Sequence, residues 1–116
     1  MNIRDKQICD KLLSEIAIIE EMMDGVSREA FLDDERTVRA VCMTLINIGE
    51  LVKTLTEELR EAHSEIPWRA IAGMRDITAH KYQTLRKEDV YSTCVGDIPI
   101  FKAQLEKLNI NEKADA

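Results

Sequence analysis

The sequence has few of the residues that break helices or build sheets. Its 116 residues include only four glycines and two prolines, and aromatic residues make up 4%. Glycine and proline interrupt helices, and aromatic residues favour strands, so this composition favours helix over sheet. Hydrophobic residues at 45% and charged residues at 33% are typical of a globular chain and not of a disordered one. One domain of this length can bury a core without metals or disulfides.

The chain also lacks the features that direct a protein into or across a membrane. Its first six residues show no basic-then-apolar signal pattern, and no apolar run approaches the length of a membrane span. The three cysteines, Cys9, Cys42 and Cys94, are widely spaced and form no CxxC pair, so we predict reduced thiols in the core. We therefore expect a cytoplasmic protein that does not contact a membrane.

Apolar side chains recur at helical spacing in four segments. The first spans residues 3–23, and Gly25 then offers a stop. The second has a seven-residue repeat from Val38 to Leu59, suited to lengthwise packing, and Asp33 or Asp34 is its candidate N-cap. A polar link separates these two segments.

The two later segments are shorter or interrupted. Pro67 is well placed to begin a third helix that ends near Ala79. The fourth begins near Glu88 and should be kinked about one turn before Pro99. We expect an all-α, antiparallel bundle of four to five helices in a single domain over residues 1–108, with a flexible polar tail over 109–116.

Charge is unevenly distributed along the chain. The net charge is −6, which argues against a protein that coats nucleic acid by bulk attraction. Residues 69–87, however, sum to +4, which leaves −10 for the remainder. This segment, the basic island, could hold a phosphate, although a solvated helix end would have the same composition. Its basic residues are Arg69, Arg75, Lys81, Arg86 and Lys87.

The basic island contains one of the two histidines. His63 lies in a polar break and is expected at the surface, whereas His80 follows Arg75 by five residues. Five helical residues rotate by about 140°, so Arg75 and His80 do not share a face. They could still converge if the helix ends near His80 or if a second subunit completes the site. Asp76, four residues before His80, could orient the imidazole.

An arginine, a histidine and a tyrosine on one basic surface suit phosphodiester chemistry. Arg75 can hold a phosphate with two donors, and His80 can move a proton at neutral pH. No histidine, carboxylate or cysteine spacing suggests a metal, so we expect neither a metal nor a cofactor. A structural histidine and a phosphotransfer histidine remain alternatives, although His80 lies near a helix end and not on the middle of a long helix.

Several motifs together resemble one known family. The segment 66–76, followed by His80-Lys81-Tyr82, resembles the HEPN superfamily and, within it, the HepT-like toxins. Their hallmark R-x-x-x-x-H-x-Y is matched by Arg75, His80 and Tyr82. Further similarity lies in residues 31–37, in Asn47-Ile48-Gly49-Glu50 and in Asp97-Ile98-Pro99, so it covers nearly the whole chain.

The resemblance implies a HEPN-like helical bundle that forms a homodimer, with two Arg-His motifs facing each other across a cleft. It implies metal-independent cleavage of RNA by 2′-hydroxyl attack, with Arg75 and His80 catalytic and Asp76 and Tyr82 in support. It also implies a minimal nucleotidyltransferase as antitoxin, which adds AMP to Tyr82. On this reading the RNA phosphates would contact Arg69, Lys81, Arg86 and Lys87.

The sequence departs from the family pattern at two positions. Asp76 stands where the family often has Asn, and Arg86 stands where a helix-capping Asp is common. Two alternatives to a ribonuclease toxin stay open: a catalytically weak HEPN-type module that docks a nucleotidyltransferase, and a bare helical scaffold. The intact Arg75, His80 and Tyr82 favour the ribonuclease, whereas the acidic net charge favours the binding module.

Overall fold

The chain forms an all-α bundle in the computed structural model, which describes residues 1–76 and 84–114, with side chains for 1–74 and 84–109. In these ranges there are helices and no strand, and none of the helices is long and apolar enough to cross a membrane. A 3-10 turn, Gly73–Asp76, and a π turn, Thr93–Asp97, lie between helices. The helices are α1 (Ile3–Met23), α2 (Arg28–Asp33), α3 (Glu35–Lys53), α4 (Glu57–Ala62), α5 (Trp68–Ala72), α6 (Lys87–Ser92) and α7 (Ile98–Ala114).

The first helix has the bounds that its periodicity predicts. Asn2 caps its start, because the Asn2 side chain accepts a hydrogen bond of 2.7 Å from the backbone N–H of Asp5. Gly25 follows its end with a φ of 69°, a left-handed conformation that glycine adopts without strain. The predicted stop at Gly25 is therefore confirmed.

The link between the first two predicted helices is not simply polar. Ser27 accepts a hydrogen bond from the N–H of Ala30 and starts the short helix α2. This helix buries Phe31, whose ring lies 5.7 Å from that of Tyr91 on α6. The prediction of a plain link was wrong, but the predicted N-cap is confirmed, since Asp34 accepts from the N–H of Thr37 at 3.1 Å.

The second predicted helix is interrupted. Its repeat was expected to continue as one helix to Leu59, but α3 ends at Lys53 and α4 begins at Glu57. Thr56 caps α4 and is held by Asp5 of α1, which accepts from the Thr56 N–H at 3.1 Å and from its hydroxyl at 2.6 Å. Leu55 and Leu59 stay buried, so the chain bends while its apolar side chains still reach the core.

The C-terminal helices show the predicted irregularity. The π turn Thr93–Asp97 lies just before Pro99, where the missing N–H of a proline disturbs the helical hydrogen bonds of the preceding turn. Helix α7 then extends to Ala114, so most of the predicted tail 109–116 continues the helix. The flexibility of that tail stays a prediction.

The core lies mainly between α1, α3 and α7. Helix α1 packs against both α3 and α7, and α5 and the 3-10 turn pack against α3. All three cysteines are free and buried, as predicted. Burial raises the pKa of the Cys42 thiol to about 11 and that of Cys94 to about 12, because an apolar environment disfavours the charged thiolate.

Candidate functional site: the surface around α5

The structure describes only the beginning of the predicted catalytic motif. The backbone of Arg75 and Asp76 belongs to the 3-10 turn Gly73–Asp76. The side chains of these two residues, and all of His80, Lys81 and Tyr82, lie outside the described residues. The convergence of Arg75 with His80 therefore stays a prediction.

The element that leads into the motif is firmly anchored. Trp68, the first residue of α5, is buried, and its indole N–H donates to the carbonyl of His63 at 3.0 Å. Its ring meets that of Phe101 on α7 edge-on, with centroids 6.1 Å apart, an arrangement that adds to the burial energy. Ile71, one helical turn further, is also buried. The turn that carries Arg75 thus starts from a helix fixed on the core.

His63 is less exposed than the sequence suggested. Its side chain is 19% exposed and its Nδ1 lies 3.8 Å from Oε1 of Glu65, so the prediction of a surface histidine was only partly right. Because its carbonyl also receives the Trp68 indole N–H, the backbone at His63 helps to hold α5 in place.

The outer side of α5 is uncovered. Pro67, Arg69, Ala70 and Gly73 are exposed. Helix α5 therefore forms a ridge, and a groove lies along each of its flanks.

The groove between α5 and α7 is apolar. It has a volume of about 580 Å³, and Asp97 is the only charged residue among its described lining residues. Ile100 projects beside it with 61% of its surface exposed. The apolar side chains that line it include Ile71, Met74, Ile98, Ile100 and Phe101.

The groove between α4 and α5 is wider and carries charges. It has a volume of about 940 Å³, and its described lining residues include three cationic side chains, from Lys53, Arg60 and Arg69. Its remaining lining residues are Glu57, Glu61, Ser64, Ile66, Pro67, Trp68, Ala70 and Ala72. We call this the α4–α5 groove.

The other end of the basic island is arranged differently. The ammonium of Lys87 lies 2.8 Å from Oε2 of Glu35 on α3, and Nε of Arg86 lies 3.9 Å from Oε2 of Glu88. Arg86 stands at the N-cap of α6 and makes no side-chain capping bond. Two of the predicted phosphate contacts are therefore engaged with carboxylates, while Arg69 forms no ion pair in the part of the chain that the structure describes.

Sequence reasoning did not include Lys53 and Arg60 among the candidates. They lie outside the basic island, on either side of the break between α3 and α4, and no local pattern marks them. Only the tertiary fold places them around the same groove as Arg69. Among the residues that the structure describes, no group of three or more histidine, cysteine, aspartate or glutamate side chains could hold a metal ion.

Comparisons with known proteins, together with the fold, define the class of the protein. The family model for HepT-like ribonucleases matches residues 12–108. A protein of Caldanaerobacter subterraneus subsp. tengcongensis, whose name gives RNase as a provisional activity, is 36% identical over 90% of this chain and 93% of its own. One from Thermococcus cleftensis, named "Probable ribonuclease HepT", is 36% identical over 89% of this chain and 94% of its own. No solved structure shows a significant match.

The class is therefore that of the all-α ribonucleases with a HEPN-type bundle. More narrowly, the chain belongs to the HepT-like ribonuclease family, and the matched residues 12–108 include Arg75, His80 and Tyr82.

Proposed function

We propose that this chain is a metal-independent endoribonuclease that acts as the toxin of a toxin–antitoxin pair. The observation that carries the proposal is the family match over residues 12–108, together with the intact R-x-x-x-x-H-x-Y motif inside it. The backbone position of Arg75 supports the proposal. The turn that contains Arg75 follows helix α5, which Trp68 anchors, and begins next to Ala72, which lines an open groove that also contains cations.

The chemistry follows from the properties of the two catalytic side chains. His80 accepts the proton of a ribose 2′-hydroxyl, and the 2′-oxygen attacks the adjacent phosphorus. Arg75 binds the phosphate through two N–H donors and offsets the negative charge that develops in the transition state. The bond from phosphorus to the 5′-oxygen then breaks, the 5′-oxygen takes a proton from an imidazolium of His80 or from water, and a 2′,3′-cyclic phosphate remains. Asp76 and Tyr82 support the site, Asp76 by orienting the imidazole.

The catalytic assignment is tested with two substitutions and a matched control. His80→Ala and Arg75→Ala should each reduce cleavage of a defined RNA at pH 7 by about 100-fold or more, the usual loss when an acid–base or charge-stabilising group is removed. His63→Ala removes the other histidine of the chain and should retain activity. Chelator should leave wild-type cleavage unchanged. If His80→Ala and Arg75→Ala cleave RNA as fast as the His63→Ala control and wild type, the assignment of Arg75 and His80 is refuted.

We also propose that two copies assemble the site as a homodimer. One helix separates residues five positions apart by about 140° of rotation, so a shared cleft is an easier way to bring an arginine and a histidine together. The exposed side of α5, with Ala70 and Gly73 at its surface, leaves room for a second copy. Light scattering should give twice the mass of the chain, and a fully active monomer at low concentration would exclude the shared site.

The regulatory part of the proposal concerns Tyr82 and a nucleotidyltransferase antitoxin. An AMP group on Tyr82 would place bulk and negative charge near Arg75 and His80, which would block an RNA phosphate without a change of fold. Co-expression with a nucleotidyltransferase encoded beside the gene should add the mass of AMP to Tyr82, and Tyr82→Phe should remain toxic if it keeps activity. Silencing of Tyr82→Phe to the same degree as wild type would mean that inhibition works by docking alone.

A second candidate function is a catalytically weak module that docks the same nucleotidyltransferase. The net charge of −6 favours it, because RNA approaches an acidic surface against repulsion. It predicts tight binding of the partner with no cleavage by wild type, whereas the ribonuclease proposal predicts cleavage that His80→Ala abolishes.

A further inference from the structure

We infer that the α4–α5 groove is the surface that binds single-stranded RNA and leads it to the motif, with Lys53, Arg60 and Arg69 as its phosphate contacts. This inference rests on the proposed ribonuclease function. It adds Lys53 and Arg60, which lie outside the basic island, and it gives Arg69 a role that Arg86 and Lys87 do not share.

The first observation is the state of Arg60. Its Nε is buried and has no hydrogen-bond partner in the part of the chain that the structure describes. A buried donor without a partner is costly, so a rotation of the Arg60 side chain towards an oxygen anion in the groove would satisfy a donor that is otherwise unpaired. Arginine is suited to this because its planar donors match two phosphate oxygens. The groove is thus lined by a side chain that has an unsatisfied donor.

The second observation is that three cations share the groove. Lys53 and Arg69 are exposed, Arg60 is partly buried, and none of them forms an ion pair with another described residue. The carboxylates of Glu57 and Glu61 also line the groove but do not pair with these cations. The described charged residues of the lining therefore sum to +1 in a chain of net charge −6, so their charge favours RNA whereas the net charge of the chain opposes it.

The third observation is the position of the groove relative to the motif. Ala72, the last residue of α5, lines the groove, and the 3-10 turn that contains Arg75 begins at the next residue. A 3-10 segment rises by about 2 Å per residue, so the backbone of Arg75 lies roughly 6 Å beyond Ala72. An RNA strand held in the groove would therefore have a phosphate close to Arg75.

The chemistry of the groove fits a single strand better than a duplex. Its cations suit the phosphates of a backbone that follows the groove, and its uncharged surface from Pro67 and Ala72 suits the sugars. Duplex RNA is instead recognised across a wide, shallow minor groove through its shape. An open groove with small residues along its side is accessible to a flexible single strand.

Binding is measured separately from cleavage. The probe is a fluorescein-labelled, 12-nucleotide single-stranded RNA, and the protein carries His80→Ala so that the probe stays intact. Fluorescence anisotropy is recorded from 50 to 200 mM salt. Adding Lys53→Ala and Arg69→Ala should weaken binding about 10- to 30-fold and reduce the salt slope by about 1.4, because each contact with a single strand contributes about 0.7. Arg60→Gln, tested alone, should reduce the slope by about 0.7.

The matched control removes the same two charges elsewhere. Arg28 and Lys107 are an exposed arginine and an exposed lysine outside the groove, so Arg28→Ala with Lys107→Ala should weaken binding less than twofold. Equal losses in the two double variants would overturn the inference, since bulk charge would then explain them. Light scattering on every variant must show the wild-type mass, so that a lost assembly is not mistaken for a lost contact.

Two further outcomes separate this inference from the proposed function. If wild type does not cleave RNA but binding depends on Lys53 and Arg69, the ribonuclease proposal fails and the groove is confirmed. If wild type cleaves RNA and the groove variants bind like the control, the inference fails and the ribonuclease stands. Binding of poly-L-glutamate that depends on the groove, with RNA binding unaffected, would assign the groove to an acidic protein and would also overturn the inference.

Discussion

The two ends of the basic island both carry cationic side chains, but these side chains differ in whether a carboxylate pairs with them. Arg69 at one end is exposed on α5 and faces a groove with two further cations. Lys87 at the other end has its ammonium 2.8 Å from Glu35, a residue of a different helix. Equal formal charges are therefore not equally available to a phosphate, because a paired lysine must first give up its carboxylate.

The energies involved explain why this difference is one of degree. The Lys87 and Glu35 side chains are 39% and 47% exposed, and exposed pairs of this kind contribute about 0–1 kcal/mol. RNA could displace such a pair at a modest cost. We therefore expect the Arg69 end to dominate binding and the Lys87 end to contribute little, a contrast that the following substitutions can break or sharpen.

The largest effect is expected at Asp5, which holds the start of α4 and so supports one side of the α4–α5 groove. Asp5 is 2% exposed and accepts two hydrogen bonds from Thr56, at the start of α4. Asp5→Ala leaves the Thr56 N–H and hydroxyl without this partner and should destabilise the protein by about 2 kcal/mol, the usual cost at a buried charged acceptor. Urea unfolding measures this, and RNA affinity should fall as well, because α4 carries Arg60.

The control for Asp5 is another aspartate of the same helix. Asp10 is 55% exposed and pairs with Lys6 one turn away, so Asp10→Ala should cost less than about 1 kcal/mol. If Asp5→Ala lowers the unfolding free energy no more than Asp10→Ala does, the hydrogen bonds from Thr56 to Asp5 do not hold α4 in place. The anchoring of the groove would then need another explanation.

A smaller effect is expected at the Lys87 end. Lys87→Ala should weaken binding of the 12-nucleotide RNA less than twofold, while Glu35→Gln should strengthen it about two- to threefold by removing a nearby negative charge. Anisotropy on the His80→Ala background measures both. A tenfold loss in Lys87→Ala would show that the ion pair opens readily, and the contrast between the two ends would disappear.

The smallest effect concerns acid stability at the start of α3, next to Glu35. The hydrogen bonds that Asp34 accepts from the Thr37 hydroxyl and N–H lower the pKa of its carboxyl below the ordinary value of 3.8. The pKa of this carboxyl is lower in the folded state than in the unfolded state. The stabilisation that the carboxylate contributes is therefore complete above the unfolded pKa and is lost as the pH falls through the folded pKa. Asp34→Ala should therefore make the unfolding free energy less sensitive to acid.

The measurement is urea unfolding between pH 3 and pH 5, with Asp34→Asn as control. Asparagine is also a good N-cap but does not ionise, so it should match wild type more closely at pH 5 than alanine does and should lack the acid-dependent loss. If wild type and both variants lose stability equally as the pH falls, the capping carboxylate does not contribute to acid sensitivity.

Much of the fold could be predicted from the sequence because its signals are local. The bounds of α1, the cap at Asp34 and the irregularity before Pro99 all depend on residues within about one helical turn of each other. The short helix α2 was missed because six residues are too few for a periodic pattern, although Ser27 marked its start. The motif residues Arg75, His80 and Tyr82 were identified by the resemblance of several short motifs to a family, and their geometry stays a prediction.

What the sequence by itself determined is an all-helical chain, its apolar stripes and a motif that marks its family. The tertiary structure alone decided where the second stripe breaks, since Asp5 binds Thr56 across 51 residues of chain. It likewise decided which charged residues meet, because the fold places Lys53, Arg60 and Arg69 around one groove and α6 beside α3 brings Lys87 to Glu35. Helical periodicity acts over a few residues, whereas electrostatic contacts depend on distance in space.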